Sequence, residues 1–343
     1  MSAADGPTDA PSETPSAPTE DSVQAGVLRR ALGWLSAHRE RFRPPPDAAE
    51  RAEPDVTVKP LGELAELMAA VLGRTALGGQ EHALAGELLE AAWEVAGRGE
   101  LFLALARAEP HATYPLEMYA AFAGTGRRHA GFEALARSAA ATRSWRSTER
   151  EPTRTLAVLG AERRLGLDPH ADPAAVAAAT WLGGLPEPWA FESRSGYAAT
   201  HHVFHVTRWG AAPELLPADV RGHLAAWLPA WTVACLEEEA WDLAGELLAV
   251  RACLPQPPPA EAEWAAYAAA QGPDGVVAPR GPAPRATDEA AFRACYHPTL
   301  VAVFAAALTL APGRTPAAPA TPDPAAPAAS DPAVLSPSAG GRP

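Results

Sequence analysis

Between residues 23 and 311 the chain is dense in Ala and Leu, and no Val/Ile/Thr stretch alternates apolar with polar residues for the length of a strand. That absence argues against a sheet, because a half-buried strand needs period-two alternation. The composition argues the same way from the other side. Ala and Leu lose little side-chain freedom in a helix and are the best ordinary helix formers. Gly, Pro and Asp cut the stretch at short intervals, which divides it into about twelve helical segments. They are expected near 23–42, 60–73, 80–97, 99–107, 115–123, 129–140, 152–165, 173–182, 195–208, 217–235, 238–253, 257–271 and 298–311. Pro60, Pro115, Pro152 and Pro298 each precede an apolar run. Each is read as a helix start, where the missing N–H costs nothing.

The two ends differ from this middle. Residues 1–22 and 312–343 are rich in Pro, Ala, Ser and Asp and hold too little apolar surface to offset the entropy of ordering them. They are set apart as disordered tails, which leaves 23–311 as one helical domain. The net charge is −13, and Asp5, Asp9, Glu13, Glu20 and Asp21 all lie in the first tail. A chain so acidic, whose only lysine is Lys59, offers nucleic-acid phosphates no basic face. Cys235, Cys253 and Cys295 are odd in number, widely spaced and without a CxxC pair, so they are expected as reduced, buried thiols. No secretory leader and no membrane-spanning run is apparent. The expected compartment is the cytoplasm.

The helices are of two kinds. Segment 238–253 places Leu236, Ala240, Leu243, Leu247 and Val250 on one side and Glu239, Asp242 and Glu246 on the other, as an outer-layer helix would. Segments 195–208 and 298–311 are almost free of charge and are expected inside. Alternation of inner and outer helices over this length predicts an α/α toroid, two concentric rings of antiparallel helices, with an α-solenoid as the alternative. The string Leu84-Ala-Gly-Glu-Leu-Leu89 recurs at Leu243–Leu248, and Leu61-Gly-Glu-Leu64 is a partial copy, consistent with a repeated helix hairpin.

Two resemblances follow from local strings. Gln271-Gly272-Pro273-Asp274-Gly275 resembles the Q-x-x-D-G turn of terpenoid-cyclase-type α/α toroids. Tyr197-Ala-Ala-Thr200-His201, Phe204-His205, Thr207-Arg-Trp-Gly210, Asp242-Leu-Ala-Gly-Glu246 and Tyr296-His297-Pro-Thr-Leu-Val301 together resemble a family of uncharacterised actinobacterial helical proteins. The second resemblance spans most of 25–311 and implies no activity. Where such a Thr-x-x-Gly turn is expected to carry an acid, this chain has Arg208. The first implies a cavity whose aromatics could stabilise a carbocation. Trp181, Trp189, Trp209, Trp227, Trp231, Trp241 and Trp264 are candidates for that role or for plain packing. No DDxxD or DxDD string accompanies them.

Histidines concentrate at 201, 202 and 205. His201 and His205, at i and i+4, share one helix face about 40° apart, a spacing that metal-binding helices use. A third imidazole is expected from His297, at the mouth of a helix that Pro298 opens. The three are candidate catalytic acids or bases and candidate ligands of a divalent transition metal. Tyr197, Arg208, Tyr296 and Tyr114 are the candidate substrate contacts. The bland alternative is that the histidines are core residues bonded to neighbouring helices, and that Asp242 and Glu246 are solvated. Walker, Rossmann, GxSxG and HExxH motifs are absent. The expectation is a central cavity for a small molecule or peptide, with an enzyme of secondary metabolism as its most specific form. The alternative is a non-catalytic helical scaffold that binds a protein partner. Neither nucleic acid nor membrane is an expected partner.

Overall fold

The computed structural model describes residues 22–51, 53–75 and 79–311. Most of both proposed tails lies outside the described residues. Within them the protein is all-α, with fourteen α-helices and no strand. The α-helices are α1 (Val23–Ala37), α2 (Pro54–Leu72), α3 (Gln80–Val95), α4 (Glu100–Ala108), α5 (Tyr114–Ala123), α6 (Ala130–Ala140) and α7 (Arg143–Ser147) in the first half. The second half holds α8 (Pro152–Leu165), α9 (Pro173–Ala178), α10 (Ser193–Val206), α11 (Ala218–Glu237), α12 (Trp241–Ala252), α13 (Glu261–Ala270) and α14 (Glu289–Leu310).

Local chemistry sets many of the ends. The side chains of Ser22, His129, Thr142, Asp172 and Asp288 accept hydrogen bonds from the first turns of α1, α6, α7, α9 and α14. Each satisfies a backbone donor that the helix cannot. Glu192 and Ser195 form a reciprocal capping box at the start of α10. Pro115 and Pro152 occupy first turns, as expected.

Pro60 and Pro298 do not. Both lie inside longer helices, α2 and α14, so the helix starts expected there are corrected. A proline interrupts one backbone bond, and tertiary packing holds the helix together across the break. Helix α14 packs against α1, α2 and α12. By length and composition α14 could also cross a membrane, but 78% of that apolar stretch is buried inside the protein.

A second correction concerns α12. Every residue from Leu243 to Ala252 is buried, so this is an inner helix and not the amphipathic outer one expected. Its polar residues escaped that prediction because each has a partner inside. Arg251, for example, donates to the Pro259 carbonyl at 2.6 Å and to Glu263 at 3.0 Å.

Six helices touch in sequence: α2 packs on α5, α5 on α8, α8 on α10, α10 on α12, α12 on α14, and α14 on α2. Helices α1, α3, α4, α9, α11 and α13 each pack against one or more of the six, and α6 packs on α4. The Gln271–Gly275 turn anchors α13 to α1. Gln271 Nε2 donates to the Val27 carbonyl at 3.2 Å, and Arg30 donates to Gln271 Oε1 at 2.9 Å. Gly275, at φ +99°, passes so close to the Arg30 carbonyl that a Cβ would stand 2.0 Å from it. Only glycine meets both requirements.

Candidate functional site

A cleft of about 440 Å³ opens among these six helices, and each of them contributes side chains to its wall. Asp55, Glu63 and Glu66 come from α2, Tyr114 and Glu117 from α5, and Arg154, Arg163 and Arg164 from α8. His201, Phe204 and His205 come from α10, Glu246 from α12, and His297, Val301 and Phe304 from α14. Trp209, just past α10, completes the lining.

In this wall His297 stands between three carboxylates. Its Nδ1 is 3.2 Å from Glu63 Oε2, and its Nε2 is 3.3 Å from Glu246 Oε1 and 3.6 Å from Asp242 Oδ1. Hydroxyl groups complete the network. Tyr197 donates to Asp242 Oδ2 at 2.7 Å, Thr200 donates to Glu246 Oε2, and Tyr296 hydrogen-bonds Glu63. The contacts Tyr197–Asp242 and Thr200–Glu246 follow in the same order along α10 and α12, so these helices run in the same direction.

Burial alone would strip His297 of its proton, but Glu63, Glu246 and Asp242 hold its pKa well above the ordinary histidine value. Burial pushes the Glu63 carboxyl up, and the charge and hydrogen bond of His297, with Lys59 and Tyr296, bring it net below the usual range. Glu246 follows the same logic. Burial raises it, and His201, His297 and Thr200 together hold it below the ordinary value. Asp242 stays raised, because burial and the Glu246 charge outweigh the pull of His297 and Tyr197. The cluster is therefore an imidazolium flanked by two carboxylates, with a third carboxyl that gives up its proton less readily.

His201 faces the same cleft differently. Its Nδ1 lies 2.9 Å from the Tyr197 carbonyl and 3.6 Å from Glu246 Oε2. A carbonyl can only accept, so Nδ1 carries a proton and donates to it. An imidazole oriented in this way by a carbonyl, with a buried carboxylate beside it, is arranged to accept a proton and to have the resulting charge stabilised.

His205, one turn on, is held well below the ordinary histidine range, first by burial and then by the charges of His201 and Arg164. It packs edge-on to Trp209 at 5.8 Å and remains neutral. His202 points away. Its Nδ1 meets Thr180 Oγ1 at 2.7 Å, and burial lowers its pKa to about 4.

The remaining candidates divide. Tyr114 lines the cleft and donates to Glu109 at 2.8 Å. Tyr197 and Tyr296 serve the carboxylates and do not line the cleft themselves. Arg208 is exposed and off the lining. Its place in the wall is taken by Trp209, which stacks on Phe204 at 5.4 Å and meets Phe304 edge-on at 5.5 Å. Arg208, Trp209 and Gly210 have φ of 53°, 58° and 76°. Two successive non-glycine residues in the left-handed region cost about 1–2 kcal/mol each. The turn is held by Thr207, whose hydroxyl accepts from Gly210 N at 3.0 Å and whose carbonyl accepts from Ala212 N at 2.8 Å.

The three-imidazole metal site is corrected. Among the described residues no group of three or more His, Cys, Asp or Glu side chains is arranged to hold a metal ion. Carboxylates face both nitrogens of His297, and a carbonyl takes Nδ1 of His201, so the three rings do not aim at one point.

Glu63 escaped the sequence reading, and Glu246 was weighed as solvated. A signal for both existed in the internal repeat. Gly62-Glu63 and Gly245-Glu246 are matching pairs, and both glutamates reach His297. In each pair the glycine admits a neighbour that a Cβ would strike, Met118 at 2.5 Å and the Tyr267 hydroxyl at 2.5 Å. The third copy, at Glu87, is exposed on α3.

Fold and site together define an all-α protein with an ionisable cluster in an interhelical cleft. The chain belongs to the family described as a domain of unknown function, DUF6895, whose model matches residues 28–307. No curated protein and no solved structure matches the chain.

Proposed function

We propose that this is a small-molecule-binding protein, and that its cleft performs acid–base chemistry with His201 as the base and Glu246 as the residue that stabilises its charged form. In this reading the six mutually packed helices are the inner ring of an α/α toroid, and the cleft is the ring's interior. One observation carries it: all six helices send side chains into a single cleft, and Glu63, Glu246 and His297 converge in its wall. A cleft of about 440 Å³ is within the roughly 300–1,000 Å³ of small-molecule pockets. A buried cluster such as Glu63, Asp242, Glu246 and His297 costs desolvation energy that an apolar core would avoid. Clusters of that kind with displaced pKa values concentrate at functional sites. His297 acts as the positioning residue that keeps Glu246 ionised.

Cytoplasmic location belongs to the same proposal. It is supported by the burial of Cys235 and Cys295 as thiols and by the burial of α14.

Gly160 gives a direct test. It lines the cleft from the middle of α8, and a Cβ there meets nothing within 4 Å. Gly160→Phe should therefore fill the cleft without disturbing the backbone. In a thermal-shift screen of a chemically diverse compound set, ligands should raise the Tm of the wild type and leave the Phe variant unmoved. A screen that yields no ligand, or ligands that stabilise both proteins equally, would sink the proposal. For any ligand found, a mass change on incubation that disappears in His201→Gln reads the chemistry.

A further inference from the structure

We infer that the ligand of this cleft is an organic anion, with an oxyanion head group on Arg163 and an apolar body against Phe204, Trp209 and Phe304. The inference rests on the cleft being a small-molecule site and adds the class of molecule it takes.

Four permanently cationic side chains line the cleft, and three are engaged. Lys59 lies 3.6 Å from Glu63, Arg154 lies 3.0 Å from Glu117, and Arg164 grips Glu66 with both nitrogens, one at 2.6 Å. The Arg163 guanidinium makes no hydrogen bond and has no carboxylate within ion-pairing distance among the described residues. Its surroundings add positive charge. Partial burial, then the charges of Arg208 and Arg164, depress its pKa, and Glu66 is the carboxylate that opposes them. Glu66 is already spent on Arg164. Two guanidinium groups of the lining, Arg163 and Arg164, thus have one carboxylate between them, with Arg208 adding positive charge from outside the lining, whereas the acids Asp55 and Glu151 line the end where α2 and α8 begin. An oxyanion meets the planar fork of a guanidinium with two parallel hydrogen bonds and relieves the repulsion.

The apolar half of the ligand is specified independently. Phe204 and Phe304 meet edge-on at 5.3 Å, and Trp209 closes on both. Trp209 is held there by the left-handed backbone of Arg208-Trp209-Gly210. His201 and His205 continue the same α10 face from this wall toward Glu246. A molecule anchored on Arg163 and lying on the aromatic wall therefore extends toward the His201 imidazole.

The test uses two fluorescent probes that differ by the anionic group alone. They are 8-anilinonaphthalene-1-sulfonate and its neutral parent N-phenyl-1-naphthylamine, titrated into the full-length protein. The sulfonate should bind at one site at least about tenfold more tightly than the parent, the scale of a charge-assisted hydrogen bond. Arg163→Gln should weaken the sulfonate about tenfold and leave the parent unchanged, and Arg163→Lys should restore part of the loss. Arg163 is exposed and unpaired, so unchanged far-UV circular dichroism is expected in both variants. Equal binding of the two probes, or an Arg163→Gln effect on neither or on both, overturns the anion assignment and leaves the cleft standing. Binding of neither probe, or binding undiminished in Gly160→Phe, removes the cleft reading and this inference with it.

Discussion

Replacing His297 with alanine takes an imidazolium out from between three carboxylates at 3.2, 3.3 and 3.6 Å. Breaking a buried pair by deleting one partner costs about 3–5 kcal/mol, because the other charge stays buried and unpaired. Here the lower figure applies. The His297 side chain is 26% exposed, and the hydroxyls of Thr200, Tyr197 and Tyr296 remain to solvate the carboxylates. The expected loss is about 3 kcal/mol at pH 7, read by urea unfolding with tryptophan fluorescence.

The pH dependence separates this mechanism from simple loss of packing. His297 has a raised pKa in the folded state. Its stabilisation is fully present below the unfolded value near 6.5 and fades as pH rises through the folded value. Glu63 and Glu246 are lowered. Their contribution is present above the unfolded value near 4.3 and fades as pH falls through the folded one. Asp242, being raised, works against folding as pH rises through its own window, which trims the effect without inverting it. The gap between wild type and His297→Ala should therefore be widest near neutrality and narrow toward both acid and alkali. The double variant His297→Ala/Glu246→Gln should recover part of the loss, because one uncompensated charge is gone. A gap below about 1 kcal/mol at pH 7, a gap independent of pH, or strict additivity in the double variant would refute the electrostatic account.

Two further outcomes concern the frame around the site. Gly210→Ala should cost about 2 kcal/mol in the same assay, since a Cβ at φ +76° is strained and would stand 3.1 Å from Cys253 Sγ and from Leu308. A neutral result there would mean that the turn carrying Trp209 can relax. The three cysteines are buried, and burial pushes the thiols of Cys235 and Cys295 up to about 11. At pH 8 iodoacetamide should leave the folded protein unmodified and add three groups once urea unfolds it, by intact-mass spectrometry. Rapid labelling of the native protein would contradict the packing around α11 and α14.

The all-helical fold was readable because it depends on local terms. Ala and Leu lower the cost of each helical turn, Pro115 and Pro152 preset first turns, and the absence of period-two alternation removes the competing structure. The inner position of α14 was equally readable, since a helix without a wet face has nowhere else to go. Reading failed where a polar residue is buried with a partner distant in sequence. Asp242 and Glu246 made α12 look amphipathic because a helical wheel scores charge as exposure. Their partners, Tyr197, Thr200 and His297, arrive from α10 and α14. Pro298 misled for a related reason, since only the helices packed around α14 show that it continues through the proline.

Of the candidate site, His201, His205 and His297 were legible as residue types at suggestive spacings, and the structure brings all three to one cleft. Their roles were not legible. An imidazole alone does not reveal whether it will face a metal, a carbonyl or three carboxylates, and that choice separates neutral His205 from protonated His297. The sequence by itself determined that this protein is helical, where many of its helices begin, and which of its longest apolar segments must lie inside, because those are decided by neighbours a few residues apart. Tertiary structure alone decided that Glu63 and Glu246 converge on His297 and that Arg163 faces the cleft unpaired. Charges act through space, and their distances are set only when the helices pack.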